Sequence, residues 1–355
     1  MYRHLGAVGL TALVTTAGLT LPVPAGSAVQ CGDRVATDIV LTKDLTCSGP
    51  ALRVAVAAGQ TLKVDLNGHR LQGDGTGTGL DTAFYTPPGH LGGTLVVTDG
   101  TITGFASAVV GPTGSAPLLQ NLTMTNLKVT GNGTWHSRRV LRATVVEKSI
   151  VIDSGTGGAY TDSSSLTVRN SQFIRSSISS ASESVNYLYD NMFSAGGFSA
   201  STSSSVIATG NTFLDCTTGI SMNSSWISPM QIDNNLFKHC RTGVRLNGML
   251  GPVSVQGNSF IENTVAGMTY LNDTNRALRI SGNMFLRNAG DGLSGADTRA
   301  YNGPATGAGP TRISDNDAIG NYGWGINATG VVTDGGGNFA RRNRGPGQCR
   351  GVTCR

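Results

Sequence analysis

The chain has 355 residues, of which 13% are charged and 50 are glycine, and aromatic residues make up 6%. The charged share is about half the roughly 25% usual for soluble domains, and a coiled coil or helical array, which would be rich in Ala, Glu, Lys and Leu, is excluded; recurring Val, Ile, Leu and Phe exclude a disordered chain. The 26 Lys and Arg against 21 Asp and Glu read as scattered, without the basic stripe and base-stacking residues of a nucleic-acid-binding domain, so no nucleic-acid partner is expected.

At the N-terminus, Arg3 and His4 precede an apolar stretch from Leu5 to about Val23, and Ala25-Gly26-Ser27-Ala28 ends in small residues. This pattern predicts a signal peptide over 1–28, cleaved after Ala28. The competing reading, a membrane anchor, is interrupted by Pro22 and Pro24, and no later segment reaches the ~18 apolar residues of a membrane span. The expected location is extracellular, with no membrane partner. Six cysteines in an exported chain read as disulfides, and six allow fifteen pairings. Position favours Cys31 with Cys47 and Cys349 with Cys354, which close the two ends.

From about residue 60 the chain repeats itself. Val206 to Phe213, Met230 to Phe237, Val253 to Phe260 and Leu278 to Phe285 each run through two alternating apolar positions, a turn, an Asn, one further residue and a Phe. The Asn positions are 191, 211, 235, 258, 283 and 316, and weaker copies centre on Ser171, Ser149, Leu127, Gly100 and His69. After each copy a glycine opens another alternating pair, as in Gly219-Ile220-Ser221-Met222 and Gly243-Val244-Arg245-Leu246. Three short strands per repeat, each with one set of side chains inward, predict stacked coils that bury a continuous core. Stacked asparagines are expected to hydrogen-bond along their column. Five positions later a second column holds Cys216, Cys240, Asn263, Asn288 and Asn321. The two cysteines would lie one rung, about 4.8 Å, apart, within reach of a disulfide; a stacked free pair is the alternative.

This pattern resembles the right-handed parallel β-helix of the pectate-lyase-like superfold over roughly residues 60–340. The segments Cys31-Gly32-Asp33, Leu41 to Cys47 and Leu62 to His69 look like the opening of secreted actinobacterial β-helix repeat proteins. Gly335-Gly336-Gly337-Asn338 with Gln348 to Cys354 looks like their closing cap. The resemblance implies an all-β fold: a cap over 29–60, a parallel β-helix over 61–340 and a cap over 341–355.

It also implies that substrate lies along the outer face of the first strand of each coil, counted from the glycine-led pair, and its flanking loops. On that face the register places Ser221, Asn223, Arg245, Asn247, Thr269, Ser294 and Asn327, expected to bind substrate. Upstream, His136, Arg138, Arg139 and Arg142, with Tyr160 and Asp162 on the next coil, are the candidate catalytic cluster. β-Elimination of an acidic sugar needs a cation beside the carboxylate and a base for the ring proton. The alternative is an irregular surface loop with solvated arginines, anchored by Trp135. Asp81, Tyr85 and His90 fall in an excursion that would overhang the same end.

Asp215, His239, Glu262 and Arg287 lie four positions after successive ladder asparagines. Two carboxylates roughly 9.6 Å apart approach the spacing of inverting glycosidases, yet alternating sign also describes a surface ion-pair ladder, and that reading is preferred. Catalytic motifs of polygalacturonase-like hydrolases, alginate epimerase-like β-helices and pectate lyases are absent. No metal-ligand spacing occurs among the five histidines, so no cofactor is evident; calcium at Asp315 and Asp317 is the one metal considered. Sequons at Asn121, Asn132, Asn223, Asn272 and Asn327 are expected by chance in so Asn- and Thr-rich a chain.

Two functions follow. The preferred one is a secreted, monomeric lyase or epimerase of uronate-containing glycans, with an acidic polysaccharide as partner; the alternative is a non-catalytic cell-wall- or glycan-binding structural protein. A groove bearing His or Tyr with Arg and carboxylate favours the first. A groove of Ser, Thr and Asn favours the second.

Overall fold

The computed structural model describes residues 28–82, 93–110, 119–136, 140–157, 164–181, 184–201, 204–223, 230–248, 251–273, 277–298 and 309–355. All but Ala28 of the expected signal peptide lies outside them. Within them every regular element is a strand, and every strand pairing is parallel, as in a solenoid whose coils stack in register. The protein is a right-handed parallel β-helix.

One coil shows the plan. Its opening strand, Ser205–Thr209, ends at Gly210; a second strand, Thr212–Leu214, ends at Asp215; a third, Thr218–Asn223, completes the circuit. Each strand pairs with its counterpart one coil on, Thr212 with Leu236 and Ile220 with Val244. The two sharp corners are made by single residues in the left-handed region: Asp190, Gly210, Asn234 and Gly257 at the first, Asp215, His239, Glu262 and Arg287 at the second. Glycine, Asn and Asp tolerate that conformation best. Upstream the same corner is made by Asp99 and Asn126, also left-handed, and Thr94–Thr103 and Leu119–Thr130 each continue through it as one long strand, pairing with both an opening and a second strand of a neighbouring coil. Residues 29–60 already wind in register: Ile39–Val40 pairs with Thr61–Asp65, and Leu45–Thr46 with Arg70–Gln72.

Behind the second strand the core is a column of rings. Phe173, Phe193, Phe213, Phe237, Phe260 and Phe285 are buried, with successive centroids 4.7–5.1 Å apart and planes within 14°. This is the rung spacing expressed in side chains. Beside them runs the asparagine ladder. Each Asn Nδ2 donates to the next Oδ1, from Asn191 to Asn211 (3.0 Å) through Asn235, Asn258, Asn283 and Asn316 to Asn338 (3.1 Å). Each Oδ1 also accepts from the preceding backbone N–H, so the ladder satisfies corner amides that no strand partner reaches. A second ladder, Asn263–Asn288–Asn321–Asn343, ends on Gln348 Oε1 at 2.8 Å. Above it Cys216 and Cys240 are bonded to each other, their Cα atoms 4.3 Å apart. Cys31–Cys47 and Cys349–Cys354 are the other two disulfides, as position favoured.

Candidate functional site

The third strands form a nine-stranded sheet, and its outer face is the candidate site. Alternation sends Ile220, Val244, Met268, Leu293 and Ile326 into the core, so their neighbours must face out. Those neighbours pair as one column across consecutive coils: Ser199, Ser221, Arg245, Thr269, Ser294, Asn327 and Arg350. A shorter column, Ser201–Asn223–Asn247, runs beside it. The sequence-predicted binding residues are thus brought together on one surface at about 4.8 Å per rung. At one end of the column, Ser177, Ser199, Thr218 and Ser221 with Gly196 and Gly197 line a depression of about 260 Å³. Arg245 is exposed and has no ion pair among the described residues. Asn327 is held by its Nδ2, which donates to Asp291 Oδ2 at 3.0 Å, while Asp291 Oδ1 accepts from the Trp324 N–H.

The candidate catalytic residues fare differently. His136 lies in the interior, 2% exposed, with its ring beside Trp135. Its Nδ1 has no hydrogen-bond partner, and burial lowers its pKa from 6.5 to about 4. In this conformation it does not present a base to a solvated sugar. Trp135 is also buried, donating from Nε1 to Ser177 O and packing edge-on to Phe173, the first ring of the phenylalanine column. It anchors the segment, as the alternative reading had it. Arg138, Arg139, Tyr160 and Asp162 fall outside the described residues, as do Tyr85 and His90. Arg142 is exposed on Val140–Glu147. That strand carries one extra residue where Val140 pairs with Leu119 and Ala143 with Asn121. Arg142 therefore sits in a bulge, a device that re-aims a side chain. It belongs to an opening strand, so the structure does not bring it onto the column of third strands.

The Asp215–Arg287 series is an ion-pair ladder. His239 reaches Asp215 at 3.4 Å and Glu262 at 3.0 Å, and Arg287 reaches Glu262 at 2.7 Å. Hydrogen bonding from His239, then the Arg287 charge, holds the Glu262 carboxyl below its usual range. Asp315 and Asp317 are exposed on either side of ladder Asn316. Among the described residues no three His, Cys, Asp or Glu side chains group as metal ligands.

Sequence reasoning passed over one column. Two positions before each ladder residue, on the outer face of the opening strands, lie Glu147, Arg169, Tyr189, Thr209 and Asp233, paired in that order. Arg169 binds Glu147 at 2.9 Å. Tyr189 stacks near Tyr187, centroids 6.2 Å apart. Burial raises the Asp233 carboxyl, whose Oδ1 has no hydrogen-bond partner. The register that located the third-face column would have located this one too.

Fold and surface together define a parallel β-helix repeat protein with a polar external column. The sequence pattern of a family described as a right handed beta helix region matches residues 179–343. Two solved structures similar in fold are the A-modules of the Azotobacter vinelandii mannuronan C-5 epimerases AlgE6 and AlgE4. Each is 13% identical and covers 91% of both chains, with TM-scores of 0.39 and 0.40. A bacteriophage CBA120 tailspike protein is similar over 90% of this chain and 57% of its own, with 13% identity and a TM-score of 0.36. No curated protein sequence matches significantly.

Proposed function

We propose that this protein binds an extracellular polysaccharide along the outer face of its third strands, as a single chain and without transforming it. One observation carries the reading: the column Ser199–Ser221–Arg245–Thr269–Ser294–Asn327–Arg350, which repeats hydroxyl and amide groups at the strand spacing with a guanidinium at mid-length and another at its end. Hydroxyls and amides donate to and accept from sugar hydroxyls, and Arg245 pairs with a carboxylate. A uronate-containing chain fits that combination. Three disulfides support an oxidising, extracellular setting. Among the described residues no helix is long and apolar enough to cross a membrane.

A second reading, a lyase or epimerase of uronate-containing glycans, is favoured by the exposed Arg142 in its bulge. Arg138 and Arg139 would join it as the carboxylate-binding cations, and Tyr160 and Asp162 as acid and base. It needs no cofactor, with calcium the one ion to add in a test.

The experiment exposes purified protein to immobilised and soluble uronate polysaccharides, with and without calcium. Retention and the ultraviolet absorbance of an unsaturated product are read together. Binding gives retention with a flat absorbance trace and an unchanged uronate composition in the recovered glycan, where an epimerase would change that composition with the trace still flat; Arg245→Ala weakens retention about tenfold, the loss of one charge-assisted hydrogen bond. A rising trace abolished by Arg142→Ala in a folded variant would favour the lyase instead. No retention on any glycan would contradict both.

A further inference from the structure

The surplus positive charge is not spread evenly. Residues 341–355 hold Arg341, Arg342, Arg344, Arg350 and Arg355 and no Asp or Glu, against a net charge of +5 for the whole chain. All five are exposed. Elsewhere three arginines are neutralised along the rungs, Arg169 by Glu147, Arg175 by Asp153 and Arg287 by Glu262, and the exposed Arg245 stands singly between Ser221 and Thr269. None of the terminal five has an ion pair among the described residues.

They are also held in place. The Cys349–Cys354 disulfide and the Gln348 cap fix the last turn. The Arg355 N–H donates to Asn338 O at 3.1 Å, and its carbonyl accepts from Ala340 N–H at 3.2 Å. Arg355 is therefore an extra rung beside the strand Phe339–Arg341. Arg341 lies over the Phe339 ring at 5.3 Å, and Arg344 over the Tyr322 ring at 4.2 Å. Tyr322 is 54% exposed, so it orients the guanidinium plane while leaving the N–H edge open to solvent. Two neighbouring carboxylates are spent or displaced. Asp334 accepts from Thr353 N–H and Gly336 N–H, which, with the Thr353 bond foremost, holds it low; Asp317 sits one rung back, paired with Phe339.

We propose that this arginine-rich end is a second binding surface, for a carboxylated polysaccharide. Pre-oriented guanidiniums pair with carboxylates two N–H groups at a time and lose little freedom in doing so. Arg350 ends the third-face column, so the two surfaces adjoin, but Arg341, on the strand Phe339–Arg341, and Arg355 beside it lie off that column; the choice of a glycan as partner rests on the polysaccharide reading.

The test measures affinity for soluble polygalacturonate at low and physiological salt. The triple variant Arg341→Ser, Arg344→Ser, Arg355→Ser is compared with Arg169→Ser, Arg175→Ser, Arg287→Ser, which removes the same charge from ion-paired sites, and with Arg245→Ala. Thermal melts check folding. The end variant should bind about tenfold more weakly, the sum of a few exposed pairs, with a shallower salt dependence and with the charge-matched variant within about twofold of the parent. Equal losses in both triples would reduce the effect to net charge and overturn the proposal. So would full affinity in the end variant, or a loss confined to Arg245→Ala, which would leave the column reading standing. Displacement of the glycan by DNA of equal charge concentration would overturn the choice of partner.

Discussion

From Asn191 onward the corner columns hold mostly asparagine and the core column phenylalanine, whereas upstream the same positions hold mostly serine, with Asn132 the exception, and aliphatic residues up to Phe173. Ser149 and Ser171 extend the first ladder, and Ser154 and Ser176 the second. Ile102, Val129 and Val151 precede Phe173 in the ring column. The difference is chemical. A serine oxygen accepts one corner N–H and returns its proton to a carbonyl two residues earlier on its own strand, as Ser171 does to Arg169 O at 2.9 Å. An asparagine accepts likewise but shares two N–H groups among three oxygens: Asn235 Nδ2 reaches Asn258 Oδ1, Asp233 O and Ala208 O. The asparagine coils are thus cross-linked between rungs through side chains, and the serine coils through backbone and one hydroxyl.

Three perturbations sharpen the contrast. Phe237→Ala empties one place in a closed stack and should cost about 4 kcal/mol, read by denaturant unfolding, with exchange of nearby amides rising most. Asn235→Ala orphans the Asn211 N–H and side-chain amide that now bond to its Oδ1, so about 3 kcal/mol is expected, against about 1 kcal/mol for Ser171→Ala. Equal costs would remove the distinction between the regions. The third perturbation is pH. His136, in the upstream region, is neutral in the native state until about pH 4 and titrates near 6.5 when unfolded. The unfolded state therefore binds the extra proton first. Stability is full above pH 6.5 and declines as the pH falls toward 4, by up to about 3 kcal/mol. His136→Leu should flatten that decline in Tm; an unchanged slope would show that other groups cause it.

Much of the fold was legible because each rung repeats its neighbour's problem. An Asn at a corner and a Phe two residues on recur wherever a coil must turn and fill the same space, so register alone located the ladders, the Cys216–Cys240 neighbourhood and the third-face column. His136 was not legible. It lies in a segment with no copy to align against, and Trp135 draws that segment inward by a bond to Ser177 two coils on. A histidine among arginines reads as surface until that anchor is known. The arginine-rich end was hidden for another reason. Counted over the chain the charge surplus is small, and its concentration in residues 341–355, five arginines without an Asp or Glu among them, is lost in that count. The left-handed backbone at Asp215, His239, Glu262 and Arg287 likewise accounts for a column of charge that sequence spacing alone left open to a catalytic reading.

The most direct test of the central claim is covalent surface footprinting of the protein with and without saturating uronate polysaccharide. Protection of Ser221, Arg245, Thr269 and Ser294 together is the predicted result, because one extended chain laid along the third strands must cover consecutive rungs. Protection confined to the opening-strand column of Arg169, Tyr189 and Asp233, with the third face still fully labelled, would contradict it.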